Sequence, residues 1–93
     1  MTKPATIEVT LKNKLGLHAR PAAILVKTSS KFESEITIVK GEEEVNGKSL
    51  IGLLMLAAEY NSTLKISAVG PDAYLALESL EDLIMNDKEF LEE

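Results

Sequence analysis

Apolar and polar residues alternate along four short segments of the chain, with the period of two that is typical of a half-buried strand. In the first segment Ile7, Val9 and Leu11 fall on one side and polar residues on the other. The four predicted strands are residues 6–12, 35–39, 43–45 and 64–69. Because each strand has a single apolar face, we expect helices to cover only one side of their sheet.

Between the strands the apolar spacing changes to that of helices. One helix is predicted from Ala19, one from Ser49 to about Ala58, and one from Ala73 to about residue 85. The order β-α-β-β-α-β-α predicts an α+β open-faced β-sandwich, with a four-stranded antiparallel sheet and three helices on one face. We expect a single domain over residues 1–93, with its core at about 5–85 and a frayed acidic tail from Asn86.

Composition narrows the classes of function. The 93 residues include no Cys and one His, which argues against a disulfide framework or a zinc site, and we predict no metal and no cofactor. The net charge is −5, yet residues 1–40 carry seven Lys or Arg against three Glu. This basic half favours acidic or phosphorylated partner proteins. The acidic total and the few aromatic residues argue against nucleic acid.

Nothing near the N-terminus is typical of a signal peptide, and the longest apolar run, residues 53–58, is too short to span a bilayer. We therefore expect a soluble cytoplasmic protein with no membrane insertion.

The run from Lys14 to Ala22 contains the only His and the only Arg of the chain, His18 and Arg20. It lies where a predicted strand gives way to a helix, so His18 is expected at the helix N-cap. Helix N-termini bind phosphate through amide donors and the helix dipole. Arg20 adds a permanent charge whose fork geometry suits phosphate oxygens. A nucleophilic imidazole in this setting indicates phosphoryl transfer to or from His18, against the simpler alternative of a surface His without function.

The local run also limits the mechanism. The backbone amides of Ala19, Arg20 and Ala22 can donate to a phosphate, whereas Pro21 has no N–H. Gly16 allows a tight turn before the His. No carboxylate or second His lies in the run, which argues against a catalytic triad. A carrier needs only the nucleophile, electrostatic stabilisation and exposure.

The helix after Ser49 is almost entirely apolar. A short helix on a sheet can bury only one stripe, for which Leu53, Leu56 and Ala57 are the best fit. Leu50, Ile51 and Leu54 would then be at least partly exposed, which predicts a docking site for a partner. The alternative is a wholly buried helix.

Ser49 is expected to be the N-cap of that helix. A phosphate there would be tolerated by the fold and would place charge beside the apolar patch, which suggests a regulatory switch. The alternative is a Ser that only caps the helix.

Three segments together resemble the HPr family, the phosphocarriers of the bacterial phosphoenolpyruvate-dependent sugar phosphotransferase system. Residues 16–22 (Gly-Leu-His-Ala-Arg-Pro-Ala) match the active-site motif of the family, and residues 45–52 match the motif around its regulatory serine. Residues 67–73 resemble the last strand-to-helix junction. The resemblance covers about residues 5 to 85 and includes the nitrogen-related branch called NPr.

The resemblance implies that His18 is phosphorylated on Nδ1 by phospho-enzyme I and donates to an enzyme IIA domain, with Arg20 stabilising the phosphohistidine. It implies a partner surface made by the first two helices, and by matching position it makes Ser49 a target of HPr kinase/phosphorylase. Carrier function in turn favours a monomer, which leaves the His-Arg face open. The residues it assigns to the partner surface are Ala19, Arg20, Ala23, Lys27, Leu50, Ile51 and Leu54.

Two other functions remain open from the residues alone. In a small phosphatase-like enzyme, Arg20 and the helix amides would bind the substrate phosphate and Asn46 would orient water. In a purely binding regulatory domain, phosphorylation of His18 would serve only as a signal. Replacing His18 by Ala separates these functions, because a carrier would lose all phosphate uptake.

Overall fold

The chain folds as a β-α-β-β-α-β-α-α sequence of elements in a computed structural model that describes residues 3–92. The elements are β1 (Ala5–Thr10), α1 (Ala19–Ser29), β2 (Glu35–Lys40), β3 (Glu43–Asn46), α2 (Leu50–Met55), β4 (Thr63–Val69), α3 (Ala73–Asn86) and α4 (Lys88–Leu91). The longest helix has 14 residues. Within the described range no helix combines the length and the apolar character needed to cross a membrane.

The four strands form one antiparallel sheet in the order β1-β4-β2-β3. Strand β4 lies between β1 and β2, and Ile66 is the partner of both Ile7 and Ile38. This register brings the apolar positions of neighbouring strands onto one face, as the alternation in the sequence predicts. The antiparallel four-stranded sheet and the α+β open-faced architecture are thus confirmed.

One face of the sheet forms the core with the helices, and the other is mostly polar. The strand residues buried in the core are Val9, Ile36, Ile38, Leu64, Ile66 and Ala68. Along the opposite face, Glu8, Glu35 and Lys65 are exposed. Cross-strand contacts there are also polar, since the hydroxyl oxygens of Thr6 and Ser67 lie 3.2 Å apart. The sheet therefore presents its fully buried apolar side chains to the helices, while the outer face carries only the half-buried Val39 and Val69 among polar residues.

Helix α2 is shorter than its apolar run suggests. It ends at Met55 rather than near Ala58, and Ala57 has the left-handed conformation, with φ of +50°. This turn exposes Ala57 and buries Ala58 to 4% exposure. The expectation that Ala57 belongs to the buried stripe is wrong because the helix has already ended. Leu53 and Leu56 are buried as predicted, at 0% and 1% exposure.

The C-terminal segment is ordered into a fourth helix, so the expected frayed tail from Asn86 and the count of three helices are wrong. Asp87 caps α4 by accepting a hydrogen bond from the Phe90 amide at 2.9 Å. Phe90 is fully buried and belongs to the main core. Four residues would not form a stable helix in isolation, so burial of this aromatic ring stabilises α4.

A polar junction lies at the C-terminal end of β4, just before the chain enters α3. The Asp72 carboxylate accepts hydrogen bonds from the Ser34 hydroxyl at 2.5 Å, the Ser34 amide at 3.0 Å and the Glu33 amide at 2.9 Å. A side chain at Gly70, whose φ is +152°, would collide with Ser34. The Ser34 hydroxyl, followed by the Glu33 amide, holds the pKa of Asp72 below its ordinary value.

This junction predicts a specific pH dependence of stability. Because the pKa of Asp72 is lowered by folding, its stabilisation is present at neutral pH and is lost as pH falls through the pKa of the folded state. We expect Asp72→Asn to lower the free energy of unfolding at about pH 7 and to differ less from the parent as pH falls toward about 2. Urea unfolding across this range measures the difference. The exposed Glu81→Gln on the same helix is the matched control, and a constant gap between parent and Asp72→Asn would contradict the assignment.

Candidate functional site

His18 is the N-cap of α1, as predicted. Its backbone is extended, with φ of −86° and ψ of −171°, and its carbonyl accepts the first hydrogen bond of the helix, from Ala22 at 3.0 Å. The imidazole does not cap the helix and is half-buried. The ring therefore stands at the N-terminal end of an 11-residue helix, where the helix dipole favours negative charge.

The loop before His18 is fixed by backbone contacts. The Gly16 amide donates to the Asn13 carbonyl at 2.9 Å, and the Leu17 amide donates to the Ala58 carbonyl at 2.8 Å. Gly16 has φ of +74°, and a side chain there would collide with the same Ala58 carbonyl oxygen. Glycine is thus required at position 16 both for its conformation and for the close approach of the segment after α2.

The first turn of α1 brings Arg20 to the surface beside the N-cap. Arg20 and Ala19 are exposed, whereas Pro21 and Ala22 are buried. The expectation that the Ala22 amide donates to a phosphate is wrong, because this amide makes the first hydrogen bond of the helix. The amides of Ala19 and Arg20 belong to the first turn, where helix geometry directs N–H groups toward the N-terminal end.

Helices α1 and α2 pack against each other, and both carry exposed residues. Ala19, Ala23 and Lys27 recur every four residues on α1 and are all exposed. Helix α2, which packs against α1, exposes the four residues that we call the apolar ridge. They are Leu50 (40% exposed), Ile51 (70%), Leu54 (40%) and Met55 (73%). The prediction that Leu50, Ile51 and Leu54 are exposed is confirmed, and a wholly buried helix is excluded.

A shallow depression beside His18 contains two apolar side chains that the sequence did not single out. Leu15, which is 78% exposed, and Tyr60, which is 52% exposed, line it together with His18 and Ala58. Leu15 lies in the loop before His18, and Tyr60 follows α2. Their exposure depends on the contact between two distant segments, so no local pattern could have found them.

Ser49 lies at the far end of α2 from this depression. It is the N-cap, and its hydroxyl accepts a hydrogen bond from the Gly52 amide at 3.0 Å, as predicted. The preceding Lys48 donates to the Phe32 carbonyl at 2.6 Å, which links the start of α2 to the segment after α1. Ser49 is half-buried and directly precedes the apolar ridge.

Comparison with known proteins identifies the family. Residues 5–86 match the family model described as the PTS HPr component phosphorylation site. The chain belongs to the HPr family of phosphocarrier proteins. It is 43% identical to the phosphocarrier protein HPr of Xylella fastidiosa strain Temecula1 over 79 residues, which is 85% of this chain and 89% of that protein. It is also 44% identical to the phosphocarrier protein NPr of Shewanella violacea, over 83% of this chain and 85% of that protein.

A solved HPr structure agrees with the fold. The crystal structure of HPr-C-His from Thermoanaerobacter tengcongensis matches with a TM-score of 0.86 at 40% identity, over 96% of this chain and 97% of that chain. HPr proteins are phosphocarriers of the phosphotransferase system and not enzymes. The phosphatase-like alternative from the sequence is therefore wrong, and the remaining questions are which atoms carry the phosphoryl group and which surfaces the partners contact.

Proposed function

We propose that His18 is the phosphoryl acceptor, and that this chain takes the group from phospho-enzyme I and passes it to an enzyme IIA domain. The observation that supports this most directly is the position of the imidazole at the N-cap of α1, with Arg20 on the adjacent exposed turn. A phosphoryl group on the ring would meet the positive end of the helix dipole and a guanidinium together.

The transfer itself needs no further catalytic group on this chain. Nδ1 of His18 attacks phosphorus, a new N–P bond forms, and the bond from phosphorus to the donor breaks with its electron pair kept by the donor. The amides of Ala19 and Arg20 donate to the phosphoryl oxygens, and the Arg20 guanidinium offsets their charge. In the transfer to enzyme IIA the acceptor nucleophile attacks the phosphorus, and the N–P bond breaks with its electron pair returning to Nδ1.

Both partners are proposed to dock on the surface formed by α1 and the apolar ridge. The residues assigned to it are Ala19, Arg20, Ala23, Lys27, Leu50, Ile51 and Leu54. Apolar side chains next to cationic ones suit a partner surface with an apolar centre and acidic margins. A monomer keeps this surface open, and the absence of Cys fits a cytoplasmic location.

We also propose that Ser49 is a regulatory phosphorylation site, for which HPr kinase/phosphorylase is the candidate enzyme. A phosphate at Ser49 would add about two negative charges at the start of the apolar ridge. Desolvating that charge under a docked partner would be unfavourable, so docking would weaken.

The assignment of His18 is tested by phosphorylation with enzyme I and phosphoenolpyruvate, followed by intact mass. We expect the parent to gain a single acid-labile phosphoryl group and His18→Ala to gain none, because His18 is the only imidazole in the sequence. Arg20→Gln should still be phosphorylated, but roughly 10-fold more slowly, because one charge-assisted contact is lost. Uptake by His18→Ala equal to the parent would reject the assignment.

The docking surface is tested by Ile51→Ser, measured as the KM of this protein in the enzyme I reaction. On the proposal, docking buries the Ile51 side chain, so its loss should raise KM roughly 10-fold and leave kcat near the parent value. The control is Tyr74→Ser, since Tyr74 is 83% exposed but lies on α3 beside β1. Equal KM values for parent and Ile51→Ser would show that the ridge does not contact enzyme I.

The regulatory role of Ser49 is tested by Ser49→Asp in the same assay. Asp retains an acceptor at the N-cap and adds charge, so we expect a roughly 10-fold higher KM with an unchanged unfolding midpoint. Ser49→Asn, which caps without charge, is the matched control and should behave as the parent. If the two variants have the same KM, charge at this position does not affect docking.

A further inference from the structure

We propose that α4 positions the loop that carries His18, through a buried hydrogen bond between Asn13 and Phe90. This inference rests on the proposed role of His18 as phosphoryl acceptor. Asn13 lies five residues before His18 and is fully buried, and its Nδ2 donates to the Phe90 carbonyl at 2.6 Å. Asn13 and Phe90 are positioning residues in this assignment, because neither contacts the reacting atoms.

Hydrogen bonds hold the loop before His18 at three successive points. The Asn13 side chain donates to Phe90, the Asn13 carbonyl accepts from the Gly16 amide, and the next amide, that of Leu17, donates to Ala58. Leu17 is itself buried, with 4% of its surface exposed. The loop is thus held at Asn13 on one side and at Leu17 on the other, and the residue that follows Leu17 is His18.

The acceptor in α4 is also fixed. The Phe90 amide donates to the Asp87 carboxylate at 2.9 Å, and the Phe90 ring lies in the main core. Helix α4 packs against both α1 and α3. The Phe90 carbonyl therefore has a defined position relative to α1. The loop is held at that position by the hydrogen bond from Asn13.

The choice of a polar side chain at position 13 supports a positioning role. Among residues 3–92, the Asn13 side-chain oxygen is buried without a hydrogen-bond partner. Burying a half-satisfied amide is less favourable than burying an apolar side chain of similar size. The amide instead gives a directional contact, because a hydrogen-bond donor at position 13 ties the loop to one particular acceptor, the Phe90 carbonyl.

The first experiment compares Asn13→Ala, Phe90→Ala and the double variant for phosphoryl transfer from enzyme I. We expect each single variant to lower kcat roughly 10- to 100-fold with little change in KM, because the imidazole is misplaced while the docking surface is intact. Phe90→Ala keeps the backbone carbonyl but removes the core ring that holds α4 in place. The double variant should therefore be no worse than the poorer single variant, since one substitution removes the donor and the other displaces its acceptor. Additive losses would show that the two residues act separately.

A second measurement needs no phosphoryl donor. Native-state hydrogen exchange of the Gly16 and Leu17 amides should become roughly 10-fold faster in Asn13→Ala while the amides of β4 keep their protection. Asn13→Leu, which is close in size and removes the donor without burying a charge, should give the same local change if the alanine variant is poorly folded. Asp72→Asn is the matched control, because it disturbs the opposite end of β4 and should leave both loop amides and kcat unchanged.

The outcomes separate this inference from the proposed function. If the parent accepts no phosphate, the function fails, and the exchange of the Gly16 and Leu17 amides still decides whether α4 holds the loop. If the parent is phosphorylated and Asn13→Ala matches it in both kcat and loop exchange, the positioning role is wrong and the assignment of His18 stands.

Discussion

The contact between Leu17 and Ala58 is the constraint on which the functional end of the molecule depends. Two segments that are far apart in the chain meet there through one backbone hydrogen bond, and each turns sharply beside it: Gly16 has φ of +74° and Ala57 has φ of +50°. A non-glycine residue in the left-handed region costs about 1–2 kcal/mol. Burial of Ala58 and the hydrogen bond offset that cost. As a result the end of α2 and the start of α1 are held side by side.

Most of the fold was predictable because its sheet buries only one face. Alternation in β1 and β4 fixed which residues point inward, and the Gly-x-His-x-Arg-Pro run indicated the helix start at His18. The exposure of Leu50, Ile51 and Leu54 followed from the small number of positions that so short a helix can bury. These are local properties, and local patterns record them well.

The errors arose where distant segments decide the conformation. The apolar run continues past Met55 without Gly or Pro, so nothing in it signals that the helix ends there or that Ala57 turns outward. In the C-terminal segment Phe90 stands among charged neighbours, which gave no helical pattern. Its carbonyl accepts a hydrogen bond from the side chain of Asn13, which lies 77 positions away in the sequence. The Ala22 error was of another kind, because an N-cap at His18 already commits the amide four residues later to the first hydrogen bond of the helix.

The polar outer face of the sheet limits how a carrier of this shape can exchange partners. The large exposed apolar side chains lie on the helices and loops, and the outer face carries Glu8, Glu35 and Lys65 with only the half-buried Val39 and Val69. On the proposal that donor and acceptor both dock on the apolar ridge, the two partners must take turns. Each complex must then separate before the next forms, which places an upper limit on useful affinity. With an association rate constant of about 10⁷ M⁻¹s⁻¹, a Kd of about 10 μM allows about 100 departures per second. A tighter interface would lower the rate at which phosphoryl groups pass from donor to acceptor, so modest affinity is a requirement of this architecture.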